Sequence, residues 1–178
     1  MRRLILIAAI FVLAAASAMP QSSKDADPKD VDSLDNIMRA VYDVISGDKG
    51  TPRNWDRMRS LFYKDARLIP SNKNAQTGVV GARVLSPDEY IKRAEPFFNE
   101  QGFYERESAR HVDIYGNIAQ VFSTYESRHS PGDAKPFQRG INSFQLLNDG
   151  KRWWILTIYW QPETPETPIP KKYLKSRD

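Results

Sequence analysis

Residues Phe103 to Gln161 constrain this chain more than any other stretch. They read FYERESARHVDIYGNIAQVFSTYESRH and then PFQRGINSFQLLNDGKRWWILTIYWQ, two long alternating runs that each fold back on a tight Gly-Asn or Asp-Gly pair. Alternation around such a pair predicts a β-hairpin. Helical periodicity precedes both runs. The expected fold class is therefore α+β, a curved antiparallel sheet with three N-terminal helices closing a cup, and cups hold small molecules.

The chain start has the pattern of an export leader. A basic MRR is followed by the apolar run LILIAAIFVLAAA and the small-residue site Ala16-Ser17-Ala18. That is the arrangement of a cleaved signal peptide over 1–18, and the run falls short of the ~20 apolar residues of a membrane span. It predicts a secreted or periplasmic protein with no membrane association once the leader is removed. No cysteine follows the run to carry a lipid, and the chain has none at all. Thiol catalysis, disulfides and cysteine metal sites are thereby excluded. Arg2 and Arg3 lie in the leader, so the formal charge of +4 overstates how basic the mature chain is. A nearly balanced charge gives no basis for a nucleic-acid partner.

Residues 19–31 are polar and expected to be a disordered linker. The domain proper is expected over 32–162. Its first helix starts at Asp32 or Ser33, runs through Leu34, Ile37, Met38, Val41, Val44 and Ile45, and stops at Gly47. A second, short helix covers Trp55 to Tyr63, and Ala66–Ile69 reads as a short strand. Residues 71–83 read as a loop or ragged hairpin. The third helix has Ser86 as cap, Pro87 at its first position and Glu89 to close a capping box, with Pro96 expected to kink or end it. The proline-rich and basic tail, 163–178, is expected to lie extended on the surface.

Three motifs in this order resemble the nuclear transport factor 2-like superfamily, also called SnoaL-like or ketosteroid-isomerase-like, in a secreted bacterial-type form. LFYKDARL resembles the passage from second helix to first strand, IYGNIAQVFSTY the central hairpin, and NDGKRWWILTIYW the closing hairpin with a tryptophan just after the turn. The resemblance implies a cone fold and, in many members, a homodimer. Ketosteroid isomerases carry a catalytic aspartate shortly after the Asp-Ala of the first strand. Here Asp65-Ala66 is followed by Arg67, Leu68, Ile69 and Pro70, so isomerase chemistry does not carry over.

Strict alternation from two-residue turns assigns the faces. From Gly116-Asn117, Val112 pairs with Val121, Arg110 with Ser123 and Ser108 with Tyr125. From Asp149-Gly150, Phe144 pairs with Ile155, Asn142 with Thr157 and Gly140 with Tyr159. One face is then apolar near the turns and polar beyond. With Tyr42 of the first helix it gives the expected ligand-binding set: Tyr42, Arg110, Ser123, Tyr125, Asn142, Thr157 and Tyr159. The alternative for each residue is pairing within the protein. Glu105, Glu107, Asp113 and Glu126 fall on the outer face, leaving the pocket without a carboxylate base. His111 and Tyr125 are the weak catalytic candidates, and His111 and His129 lie too far apart in register to share a metal. No metal and no cofactor is expected. Trp154, Leu156, Ile158 and Trp160 form an apolar stripe on the outer face, the expected homodimer surface unless a helix or the tail covers it.

The reading favoured by this pattern is an exported small-molecule-binding protein without a strong general base. One alternative is an isomerase, dehydratase or hydrolase of the same fold. The other is a protein-interaction module, whose cup would hold no cavity above ~300 Å³.

Overall fold

The computed structural model describes residues 25–74 and 76–176, so the expected leader and residues 19–24 lie outside the described residues. Helix α1 spans Pro28–Val31, α2 Leu34–Ile45, α3 Trp55–Leu61 and α4 Pro87–Glu100. Strand β1 spans Phe62–Lys73, β2 Val80–Ala82, β3 Tyr104–Tyr115, β4 Ile118–Arg128, β5 Gln138–Asn148 and β6 Trp153–Pro162. The six strands form one curved, unclosed sheet in the order β2-β1-β6-β5-β4-β3. All neighbours are antiparallel except β1 and β6, which run parallel. The α+β cone expected from the hairpins is the observed fold.

Local chemistry explains the helices. Ser33 accepts a hydrogen bond from the Asn36 amide and starts α2, and Ile37, Met38, Val41 and Val44 bury one face of it in the cup. Asn54 caps α3 in the same way. Ser86 and Glu89 close the expected capping box on α4, and Pro96 sits inside that helix without ending it. The linker expected over 19–31 is helical in its last turn: Asp27 caps Pro28–Val31 and Val31 is buried in the core. No helix among the described residues is long and apolar enough to cross a membrane.

Both long hairpins depart from strict alternation, each at one residue. In the β3–β4 pair, Arg110 faces Ser123 as expected, but beyond Ala109 and Thr124 the register shifts and Glu107 faces Tyr125. Ser108 is the extra residue of a β-bulge, and everything before it in β3 changes sides. In the β5–β6 pair the turn holds four residues, because the Asp149 carboxylate accepts from the Lys151 and Arg152 amides and Asn148 therefore faces Trp153. A shift of two residues keeps the faces. A bulge at Leu156 then exchanges them, since Leu146 faces Ile155 while Gln145 faces Thr157.

The second bulge divides the expected dimer stripe. Ile158 and Trp160 turn into the cup, while Trp154 stays outside under the Arg152 guanidinium, 3.6 Å from its ring, with the Tyr63 edge beside it. The tail covers a different part of the convex face. Its 3₁₀ turn over Lys171–Leu174 sets Tyr173 against His111 and Phe122, and the Tyr173 carbonyl accepts from Thr124 Oγ1 at 2.6 Å.

Candidate functional site

The inside of the cup holds a cavity of about 130 Å³. Its walls are mostly apolar, from Val41 and Ile45 of α2, Met58 of α3, Leu68 of β1 and Phe144 and Ile158 of the sheet. Into it face Glu105 of β3, Tyr125 of β4, Asn142 and Gln138 of β5, Tyr42 of α2, Tyr90 of α4 and Trp160 of β6.

The bulge at Ser108 puts Glu105 here, correcting the outer-face assignment of Glu105 and Glu107. Glu105 is half-buried, its side chain set into the apolar-walled cavity. That burial pushes the carboxyl up to about 7, against hydrogen bonds from Ser127 and Asn142 that favour its charge. Ser127 Oγ donates at 2.8 Å and Asn142 Nδ2 at 3.3 Å. No cation pairs with Glu105 among the described residues. A carboxyl in this state is shared between acid and base forms at neutral pH, which suits proton transfer.

The other inward glutamate is neutralised. Arg110 Nε donates to Glu107 at 2.5 Å and Arg110 Nη1 to Asp35 at 2.6 Å. Ser123 Oγ also donates to Glu107. The Tyr42 hydroxyl, 2.7 Å from Ser123 Oγ, must therefore give its proton to Ser123, and it accepts from Asn142 Nδ2 at 3.1 Å. This chain holds the polar end of the cup rigid and ties helix α2 to the sheet.

The phenols divide into two kinds. Tyr42 is fully engaged in that chain. Tyr90 and Tyr125 have no hydrogen-bond partner among the described residues, although Tyr125 is only 2% exposed. Burial, and then the nearby Glu105 charge, pushes all three well above the ordinary tyrosine range. They are neutral donors, and two of them have their protons available to a ligand.

Of the seven residues expected to bind a ligand, Tyr42, Tyr125 and Asn142 line the cavity. Arg110 and Ser123 lie on the same face but pair within the protein. The Leu156 bulge carries Thr157 and Tyr159 to the convex face, where Tyr159 is 46% exposed. His111 is also convex, its Nε2 at 3.0 Å from the Lys175 carbonyl beneath the tail. His129 stacks on Phe137 with its Nδ1 against the Gly102 carbonyl. Among the described residues no three His, Cys, Asp or Glu side chains come together as metal ligands would. Glu105, Ile158 and Trp160 are the cavity residues that strict alternation put on the wrong face, while Gln138, of inward parity, and Tyr90, on α4, were not singled out.

Gly140 seats Tyr125. A Cβ at position 140 would fall 2.4 Å from the Gln161 carbonyl oxygen and 2.5 Å from the Tyr125 hydroxyl. We expect Gly140→Ala to cost about 1–3 kcal/mol through overpacking, read as a lowered midpoint in urea. Adding Tyr125→Phe should recover little, because the Tyr125 Cζ and the Gln161 carbonyl still obstruct the methyl.

No family model matches the chain, and no curated protein matches it. Solved structures do match. One is a nuclear transport factor 2-like protein of unknown function from Silicibacter pomeroyi, 16% identical, covering 74% of this chain and 94% of its own, with a TM-score of 0.50. Another is a protein of unknown function with a cystatin-like fold from Nostoc punctiforme, 9% identical over 82% of this chain and 99% of its own, TM-score 0.54. A third is a proposed scytalone dehydratase from Novosphingobium aromaticivorans, 14% identical over 75% of this chain and 83% of its own, TM-score 0.51. At these identities the likeness shows a shared cone fold, and fold alone does not fix function.

Proposed function

We propose that this protein is an acid–base enzyme that moves a proton on a small, largely apolar carbonyl compound, as an isomerase or dehydratase does. The observation that carries the reading is Glu105: a carboxyl with no cation beside it among the described residues, in an apolar-walled cavity that also presents two unpartnered phenols, its burial pushing it up to about 7. The Glu105 carboxylate would take a proton from the carbon beside the carbonyl. The C–H electron pair would become a carbon–carbon double bond as the carbonyl π pair moves to oxygen, where Tyr90 and Tyr125 donate to the developing charge. The Glu105 acid would then return the proton to a different carbon, or to a departing hydroxyl as water. The name of the Novosphingobium neighbour supports this class.

At about 130 Å³ the cavity is smaller than the ~300 Å³ that bounds ordinary ligand pockets. By size alone that favours the interaction module. The polar equipment inside argues for a ligand, and a space close to ~150 Å³ holds a single six-membered ring. The substrate's reacting part is then one ring or its equivalent. The leader-like start supports placing the protein outside the cytoplasm. A binding protein without catalysis is the second reading, favoured by the mostly apolar cavity walls and the unpartnered Tyr90 and Tyr125 hydroxyls, which would hold a guest whether or not Glu105 acts on it.

The test is hydrogen–deuterium exchange into small cyclic ketones in heavy water, followed by NMR. Protein-dependent exchange beside the carbonyl should rise with pH through an inflection near 7 and fall at least a hundredfold in Glu105→Gln. Binding of these ketones with no exchange above buffer would overturn catalysis in favour of the second reading.

A further inference from the structure

A larger groove of about 730 Å³ adjoins the cavity between α4 and the β1–β2 hairpin. The two spaces share two walls, Tyr90 and Trp160. These rings meet edge to face, 6.2 Å apart, beside the bridge that pairs Leu68 of the cavity wall with Leu85 of the groove wall. The Tyr90 hydroxyl makes no hydrogen bond, so turning its ring breaks none.

The groove is chemically the opposite of the cavity. Its charged lining residues are Arg83 and Arg93, with no carboxylate among the described residues that line it. Both are exposed, and neither forms a salt bridge among the described residues. Arg93 feels Glu89 one turn back on α4, while Arg83 has no charged partner among the described residues. Asn72 adds an amide to the same lining. Two guanidinium forks beside an amide suit a carboxylate, which arginine binds through two parallel hydrogen bonds.

We propose that the two spaces are one binding site for an elongated molecule, its ring in the inner cavity and a carboxylate-ended chain passing between Tyr90 and Trp160 to Arg83 and Arg93. This rests on the inner cavity being the reaction site, and extends it by naming the substrate class: a small ring carrying an acidic side chain. The cationic groove would also disfavour protonated amines, and the ionised form of Glu105 would reject a carboxylate placed on the ring itself.

The test is titration calorimetry of the purified protein with phenol, 4-butylphenol, 4-hydroxybenzoate and 4-(4-hydroxyphenyl)butanoate. The butanoate should bind at least tenfold tighter than 4-butylphenol, and hydroxybenzoate no tighter than phenol, because its carboxylate cannot reach past Tyr90. The double variant Arg83→Ala, Arg93→Ala should remove the butanoate's advantage and leave 4-butylphenol unchanged, which also reports an intact fold. The advantage should shrink as salt is raised. A butanoate no tighter than butylphenol, or an advantage that survives in the double variant, overturns the groove while phenol binding that responds to Glu105→Gln upholds the inner cavity. Phenol binding indifferent to Glu105→Gln overturns the inner cavity and the joined site with it.

Discussion

Glu105→Gln should be more stable than the natural protein at pH 8 by about 3 kcal/mol and equal to it near pH 4. The size follows from a carboxyl held near 7 when folded against an ordinary value of 4.5, at about 1.4 kcal/mol for each pH unit. The direction follows from the raised folded value. Below about pH 4.5 Glu105 is protonated in both states and takes nothing from stability. Between there and 7 the unfolded chain ionises freely while the folded one resists, so stability falls as pH rises. Above 7 the loss is complete and constant. Glutamine keeps the shape, accepts from Asn142 as the acid does and can donate to Ser127, whose hydroxyl is able to reverse. Urea unfolding of both proteins from pH 4 to pH 8 reads the difference. Parallel stability curves would mean that Glu105 is not held near 7. The gain should coincide with loss of exchange activity, the pattern of a group kept at a cost to folding because its chemistry is used.

Deleting Ser108 should leave both faces of β3 as they are. Ser108 is the residue the ladder skips, so without it Glu107 adjoins Ala109 in regular alternation, still opposite Tyr125, with Arg106 outward opposite Glu126 and Glu105 inward opposite Ser127. The change removes the bond from Ser108 Oγ to the Thr124 carbonyl and the local bend of the strand. We expect a loss of about 1–3 kcal/mol, read by urea unfolding. The exchange activity and the fall of stability with pH that belong to Glu105 should both survive. Ser108→Gly keeps the residue count and serves as the control, staying within about 1 kcal/mol of the natural protein. Loss of the Glu105-dependent pH effect in the deletion variant would mean that the strand does not straighten in register.

Local chemistry decides which parts of this molecule are legible in its sequence. Helix starts at Ser33 and Ser86 were readable because a cap is a local hydrogen bond between named residue types. The hairpins were readable because alternation over ten residues has few other meanings. Faces next to each turn, from Arg110 to Ser123 and from Leu146 to Ile155, were also right in kind, since a longer turn moves register by two and leaves sides unchanged. Beyond the bulges at Ser108 and Leu156 alternation inverts, and there Glu105, Glu107, Thr157, Tyr159, Ile158 and Trp160 all changed sides. A bulge has no strong residue signature. One physical signal was available for the first. Strict alternation puts Arg106 and Arg110 on the inner face together with no anion, whereas the bulged register gives Arg110 its counter-ion in Glu107. Charge compensation across a buried face is therefore a better guide to parity than turn counting. Tyr90 was out of reach by any such rule, since its place depends on how α4 lies over the sheet.

The isolation of Glu105 has a consequence for how this cup exchanges matter with solvent. Arg110 is neutralised by Glu107 and Asp35, and the phenols stay neutral, so among the described residues Glu105 is the cavity group whose proton occupancy changes around neutrality. Any guest that displaces water or offers Glu105 a donor alters that occupancy, and the difference must pass to or from the buffer. Uptake of a guest and uptake of a proton are thus one thermodynamic event, and the ambient pH acts on the cup as a second ligand.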